Sequence, residues 1–428
     1  MKAFVVSACA LFLIGTLMPP SCSFAETRAE QWEKLRQEKL KALVPNKRNK
    51  AESILYQVEK GGINFSYKGF YPSIASVATG AGFGGQLRYW RQHFLMHGMD
   101  FQILGAYTTR RYQVYNLQIG KIMKKGIEPL VGSGGSGGFS DFHGLNKRRQ
   151  QDFFLYADLR YRYFPQEDYF GTGPDSSQAD QTDYLLEAAS AGMVSGYKLG
   201  RYALVAGAVS YQTFDVRPGT DSRFPTTQDV FTDAEAPGLD SQPDFLSFTG
   251  GLVLDYRDRP GNPHSGGLAG FQFTRYNDRG GENFEFSRYT FDLRHYLPLF
   301  SEQRVLAVRF LTSFENPDDE ARVPFYLQET LGGGEILRGF DYNRFRDLNM
   351  LYLSAEYRWE AAPGMEFAVF YDTGKVFPEP SDFSFKDLED SYGFGVRFKL
   401  PRSMFVRIDT ARSDEGTHVY IKFGLASF

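Results

Sequence analysis

The chain has 428 residues, with 48 Lys+Arg against 51 Asp+Glu and a formal net charge of -3, which excludes the concentrated basic excess of a nucleic-acid binder. Aromatic residues make up 16%, glycines number 44, and mean hydropathy is below zero. This composition excludes a bundle of apolar membrane helices but not a membrane barrel, in which only alternate residues face lipid.

The first 25 residues read as a secretory signal: Lys2 is the positive end, Ala3–Met18 the apolar core, and Ser23-Phe24-Ala25 a small-residue cleavage site before Glu26. Both cysteines, Cys9 and Cys22, fall inside it. The mature chain is therefore expected to lack disulfides and cysteine metal sites, as is common in the bacterial cell envelope. Beyond the signal no apolar run reaches the roughly 18 residues of a membrane helix. A membrane-spanning form must then be a closed barrel, since lipid cannot satisfy an open sheet edge.

Residues 26–60 carry a charged segment in which Trp32, Leu35, Leu40 and Leu43 sit among Lys, Arg and Glu, with Pro45 as a stop. The spacing predicts one amphipathic helix, either a solvated periplasmic tether or a plug that packs its Trp/Leu face on the barrel.

From residue 61 to 428 the pattern is β. In Asp152–Phe164, Phe153, Leu155, Ala157, Leu159, Tyr161 and Tyr163 alternate with Phe154, Tyr156, Asp158, Arg160 and Arg162. Period two sends one set outward and the charged set inward. The same alternation opposes Tyr289, Phe291 and Leu293 to Arg288, Asp292 and Arg294. It also opposes Leu351, Leu353, Ala355, Tyr357 and Trp359 to Ser354, Glu356 and Arg358. Charges recurring on one strand face suit a wet lumen better than a soluble core.

Strands are expected at 61–70, 82–91, 98–108, 111–120, 153–163, 184–196, 200–212, 246–257, 267–276, 285–297, 303–314, 349–359, 364–374, 391–400, 403–411 and 417–426. The fold class is thus all-β, a transmembrane antiparallel barrel of about 16 strands behind a short helical segment. Short turns alternate with long Gly/Asp/Ser-rich loops, as expected for periplasmic and outer ends; the segment 121–151, with its GSGGSGG, is long on the short-turn side.

Three stretches carry finer signals. Asp255–Gly266 reads DYRDRPGNPHSG, a turn with Asp255, Arg257, Asp258, Pro260 and Pro263. Leu331–Phe345 reads LGGGEILRGFDYNRF, too rich in glycine for a strand, with Gly332, Gly333, Gly334, Gly339 and Phe340 around the basic Arg338. Glycine lets such a loop fold back on itself. Phe370–Gly374, FYDTG, places Asp372 inward by parity, and Glu356 is inward on its own strand. A guanidinium within a barrel wall needs a carboxylate, so Arg338 is expected to be held by Asp372. The chain ends on an aromatic, Phe428.

The three stretches, in this order, resemble the bacterial surface antigen family, the assembly and translocation barrels that include the outer-membrane protein insertase and the two-partner-secretion transporters. The resemblance implies a sixteen-stranded outer-membrane barrel of Gram-negative bacteria whose sixth loop folds into the lumen, with Arg338 paired to Asp372 and Glu356. It also implies that Phe428 belongs to an insertion signal read by the barrel assembly machinery. Outer-membrane lipid is the expected surrounding, and polypeptide or lipid the expected cargo. Family members that insert or secrete proteins carry periplasmic polypeptide-binding domains. With about 35 residues between the signal and the barrel, this chain reads as a short, barrel-only member, and a passive surface-interaction barrel or closed pore stands as the alternative.

No catalytic residue, cofactor or metal site is expected. The six histidines, His93, His97, His143, His264, His295 and His418, are scattered, and His93/His97 lack the Glu and third ligand of a zinc site. GSGGSGG lacks the Lys-Ser/Thr of a phosphate-binding loop.

Overall fold

The computed structural model describes residues 36, 69–75, 77–122, 152–259, 261–281, 283–400 and 403–423. The chain divides into two compact units, one of Met1–Asn64 with Leu299–Glu302, the other of Phe65–Pro298 with Gln303–Phe428. The first is described only at Arg36, a helical residue, and at Leu299–Glu302. The expected signal, the rest of the 26–60 helix, the GSGGSGG stretch, Pro260 and Phe428 lie outside the described residues.

The strands, in chain order, are β1 (Phe70–Ala75), β2 (Gly84–Arg91), β3 (Asp100–Thr108), β4 (Gln113–Lys121), β5 (Phe153–Tyr169) and β6 (Thr182–Leu199). There follow β7 (Ala203–Pro218), β8 (Phe245–Asp255), β9 (Gly266–Asp278), β10 (Phe286–Leu299), β11 (Ser301–Pro317) and β12 (Glu329–Leu331). The last are β13 (Phe345–Asp347), β14 (Asn349–Ala362), β15 (Met365–Phe377), β16 (Glu389–Leu400), β17 (Ser403–Arg412) and β18 (Thr417–Phe423). Sixteen of them join in chain order into one sheet, β11 pairing directly with β14. Neighbours such as β5 with β6 and β14 with β15 pair antiparallel, and β12 and β13 form a separate two-stranded ribbon.

Period two gives the sheet two unlike faces. Tyr156, Asp158, Ser247, Asp292, Arg294, Glu356, Asp372, Arg397 and Asp409 are buried on one. Leu155, Leu159, Val205, Val209, Phe248, Phe291, Trp359, Phe367, Val369 and Phe394 are exposed on the other. An apolar outer band over so many strands belongs in hydrocarbon rather than water.

The connection between β11 and β14, residues 318–348, is the sixth loop. Its Arg346 donates to the Tyr184 hydroxyl on β6 (3.3 Å) and its Asn343 to Glu167 on β5 (3.4 Å). Its Arg338 meets Asp372 on β15, and its Phe340 carbonyl accepts from Tyr420 on β18 (2.9 Å). One segment can meet strands so distant in the sheet order only if the sheet curls around it.

The strand expected at 61–70 lies, over 61–68, outside the described residues; β1 runs over Phe70–Ala75. Three expectations need correction. β5 does not stop before Pro165 but continues to Tyr169, because a register shift between Phe164 and Glu167 lets the chain pass a residue without an N–H. Leu331 and Phe345, the ends of the glycine-rich stretch, pair with each other in the β12–β13 ribbon, and only the residues between them are irregular. Leu351 was expected on the lipid face, yet it is fully buried. The seventh loop, 378–388, folds back on the outer wall beside it. Lys375, the register neighbour of Leu351, donates to the Asp382 carbonyl (3.1 Å) and Ser384 (2.8 Å), and Phe383 packs on Phe314 and Phe377.

Candidate functional site: a loop arginine among inward carboxylates

The β12–β13 ribbon projects residues 332–344 toward the inner face of β14–β18. The turn depends on glycine at two contacts. Gly332 has φ +118°, and a Cβ there would lie 2.1 Å from the Asp341 carbonyl oxygen. Gly339 has φ +110° and passes Ser391, which a Cβ would approach to 2.8 Å. Other residue types meet both a forbidden backbone region and a clash. Gly333 and Gly334 continue the turn, with the virtual Cβ of Gly334 2.9 Å from the Tyr420 ring.

Arg338 is at the tip and 1% exposed. Its Nε donates to Asp372 Oδ2 (2.7 Å) and its Nη2 to Oδ1 (2.8 Å), the two-pronged geometry that suits a planar guanidinium. The backbone N–H of Arg338 donates to the same carboxylate at 3.2 Å. Nη1 reaches Glu356 (3.0 Å) and Asp409 on β17 (3.3 Å). The guanidinium lies 3.4 Å from the centroid of the Phe370 ring, which adds a cation–π contact. Ser354 donates to Asp372 Oδ1 (2.6 Å), the oxygen that also takes Nη2.

The carboxylates are shared. Glu356 also accepts from Arg397 and lies 3.3 Å from Arg358, and Asp409 accepts from Arg407. Arg338 thus closes a buried network spanning β14–β17. Ion pairs of this kind fix geometry more than they add net stability, but removing one partner leaves an uncompensated buried charge, at a cost of about 3–5 kcal/mol. Asp409, Phe370, Arg397 and Arg407 escaped the sequence reading. Their signal was strand parity, since Phe370 shares the inward phase of Asp372 and Asp409 that of Arg407.

Phe340, next in the loop, is fully buried and packs on Phe345 (centroids 5.1 Å apart) within a cluster that includes Leu311, Leu331, Tyr352 and Val376. The residues of Asp255–Gly266 form a separate feature. Arg257 pairs doubly with Asp255 (2.8 and 3.0 Å), while Asp258 accepts from the backbone of His264 (2.8 Å) and Ser265 (3.1 Å). Pro263 is buried in that turn. These contacts close the β8–β9 connection and do not join the arginine site.

The histidines fall apart likewise. His93 and His97 stack with centroids 4.3 Å apart in the β2–β3 connection. Among the described residues no group of three or more His, Cys, Asp or Glu side chains is arranged to hold a metal ion.

Residues 144–426 match the family model described as the Omp85 superfamily domain. Comparison with curated proteins finds no match. Among solved structures, the chain resembles BamA from Haemophilus ducreyi lacking POTRA domains 1–3, with a TM-score of 0.55 and 15% identity over 91% of this chain and 80% of that one. It also resembles CdiB from Escherichia coli, with a TM-score of 0.51 and 12% identity over 83% of this chain. The match spans 62% of the CdiB chain. At these identities the likeness is one of fold, and the fold is a barrel.

Proposed function

The chain belongs to the Omp85 superfamily, and from that premise we propose that it is an outer-membrane barrel that moves polypeptide or lipid in outer-membrane biogenesis. The sixth loop, fixed in the lumen by Arg338, sets the working form of the wall. One observation carries this reading: Arg338, fully buried, is shared by Asp372, Glu356 and Asp409 from three different strands. A loop held this way ties β14, β15 and β17 into one body, so whatever passes along or through the wall meets a fixed loop. The reading assigns no catalytic step, cofactor or metal. Export follows from cleavage after Ala25, and insertion from the barrel assembly machinery acting on the C-terminal segment that ends at Phe428.

The test pairs envelope permeability in cells carrying Arg338→Ala or Asp372→Ala with conductance of the same proteins in planar bilayers. Both substitutions are expected to lower folded barrel yield or change channel activity. Wild-type behaviour of both in both assays removes the mechanism.

A second reading, a passive barrel with a closed outer end, is favoured by the loops that meet over the sixth. The third loop, 170–181, pairs its Gly173 with Arg346, and its Ser176 accepts from Arg344 (3.0 Å). The fourth loop, 219–244, holds Arg322 through Asp233 (2.8 Å). A silent channel together with unaltered growth on deletion selects this reading.

A further inference from the structure

The last strand is gripped by the same loop at a second place. β18 ends the sheet order and pairs with β17. Three alternate residues of β18 face the loop, as period two requires. His418 Nε2 lies 3.2 Å from Asp341 Oδ1, Tyr420 donates to the Phe340 carbonyl, and Lys422 donates to Glu335. The β17–β18 turn adds two more ties: Ser413 donates to the Gly339 carbonyl (2.6 Å), and Glu415 takes Arg344 (2.6 Å). Of the three β18 residues, the imidazole is the one whose ordinary titration falls between about pH 5 and 8.

We propose that His418 and Asp341 form an acid-tightened latch, so that the sixth loop holds the last strand more firmly as pH falls through the histidine range. A neutral imidazole donates one hydrogen bond to the carboxylate. A protonated one adds the attraction of opposite charges to that bond and so holds the carboxylate more strongly.

The surroundings favour this sign. The loop presents Asp341 and Arg344, the β17–β18 turn presents Glu415, the third loop presents the Gln178 amide, and β18 itself presents Tyr420. Arg344 is engaged by Glu415, and Gln178 donates to the other Asp341 oxygen (2.9 Å), which leaves Oδ1 to the histidine. The hydrogen bond from His418 holds the Asp341 carboxyl below the usual carboxylate range; Gln178 and Arg344 act in the same direction, and burial opposes them. Asp341 therefore stays ionised while the histidine gains its proton.

The latch requires the sixth loop to sit inside the wall, as the proposed function does, but not any cargo. The test measures the unfolding rate of the full chain in detergent from its heat-modifiable gel band, at about pH 8 and about pH 5.5. Wild type is expected to slow by about three- to tenfold on acidification relative to His418→Gln and Asp341→Asn, in which the step is absent. Arg338→Lys, which loosens the other anchor, is expected to unfold faster at both pH values while keeping the step. An acid step of wild-type size in His418→Gln and Asp341→Asn, or no step in wild type, overturns the latch. Failure of the transport reading would show in conductance and permeability and would leave this step unchanged.

Discussion

The Phe370 ring lies 3.4 Å beneath the Arg338 guanidinium, two residues before the carboxylate that takes two of its N–H groups. Stacking on a ring and a two-pronged ion pair both depend on a flat, delocalised cation. Arg338→Lys keeps the charge and loses both features. It is expected to lower the midpoint of the heat-modifiable gel shift, though less far than Arg338→Ala, which leaves the carboxylates without their cation at a cost of about 3–5 kcal/mol. A lysine variant indistinguishable from wild type would show that charge alone is recognised.

Phe370→Leu removes the ring while leaving an apolar side chain. The expected loss is about 2 kcal/mol or more from a desolvated cation–π contact, read from the same midpoint. Phe367→Leu, on the exposed face of the same strand, is expected to have little effect.

The glycine-dependent turn gives a steric prediction. Gly332→Ala places a Cβ 2.1 Å from a carbonyl oxygen at φ +118°, so the ribbon must shift and Arg338 with it. Gly80 has φ +83° with open space around its virtual Cβ. Gly80→Ala is expected to cost only about 1–2 kcal/mol of backbone strain, and Gly332→Ala considerably more. Folded yield after refolding into detergent separates them.

The fourth-loop contact has a predictable pH range. Burial pushes the Asp233 carboxyl up, but the Arg322 guanidinium and the backbone N–H groups of Asp240 and Gly238 outweigh it, and the carboxyl sits below its ordinary value. A depressed carboxylate contributes stability that is present above the unfolded value and lost as pH falls through the folded one. The contact is therefore expected to be intact at neutral pH and to weaken only in acid below the ordinary aspartate range. Limited proteolysis across that range checks it: Asp233→Asn should show at neutral pH the fourth-loop cleavage that wild type shows in acid.

Much of the wall was legible because a half-buried strand repeats every two residues. Asp158, Asp292, Glu356 and Asp372 declare their face by parity alone. What parity cannot show is which inward residues of non-adjacent strands converge. Asp409 joins the arginine from β17, and nothing in its own strand points to a loop about seventy residues earlier. Leu351 misled for the reverse reason: its phase is outward, but the seventh loop covers the wall there. The strand expected at 153–163 was too short because a shifted register lets the chain pass Pro165, which has no N–H to pair.

The most direct test of the central claim, a loop arginine clasped by carboxylates of the wall, is a double-mutant cycle on Arg338→Met and Asp372→Asn, read as the heat-modifiable midpoint. Each single substitution should be strongly destabilising, and the double no worse than the more severe single, because each removes the same interaction. Singles that match wild type, or effects that simply add, would contradict the account.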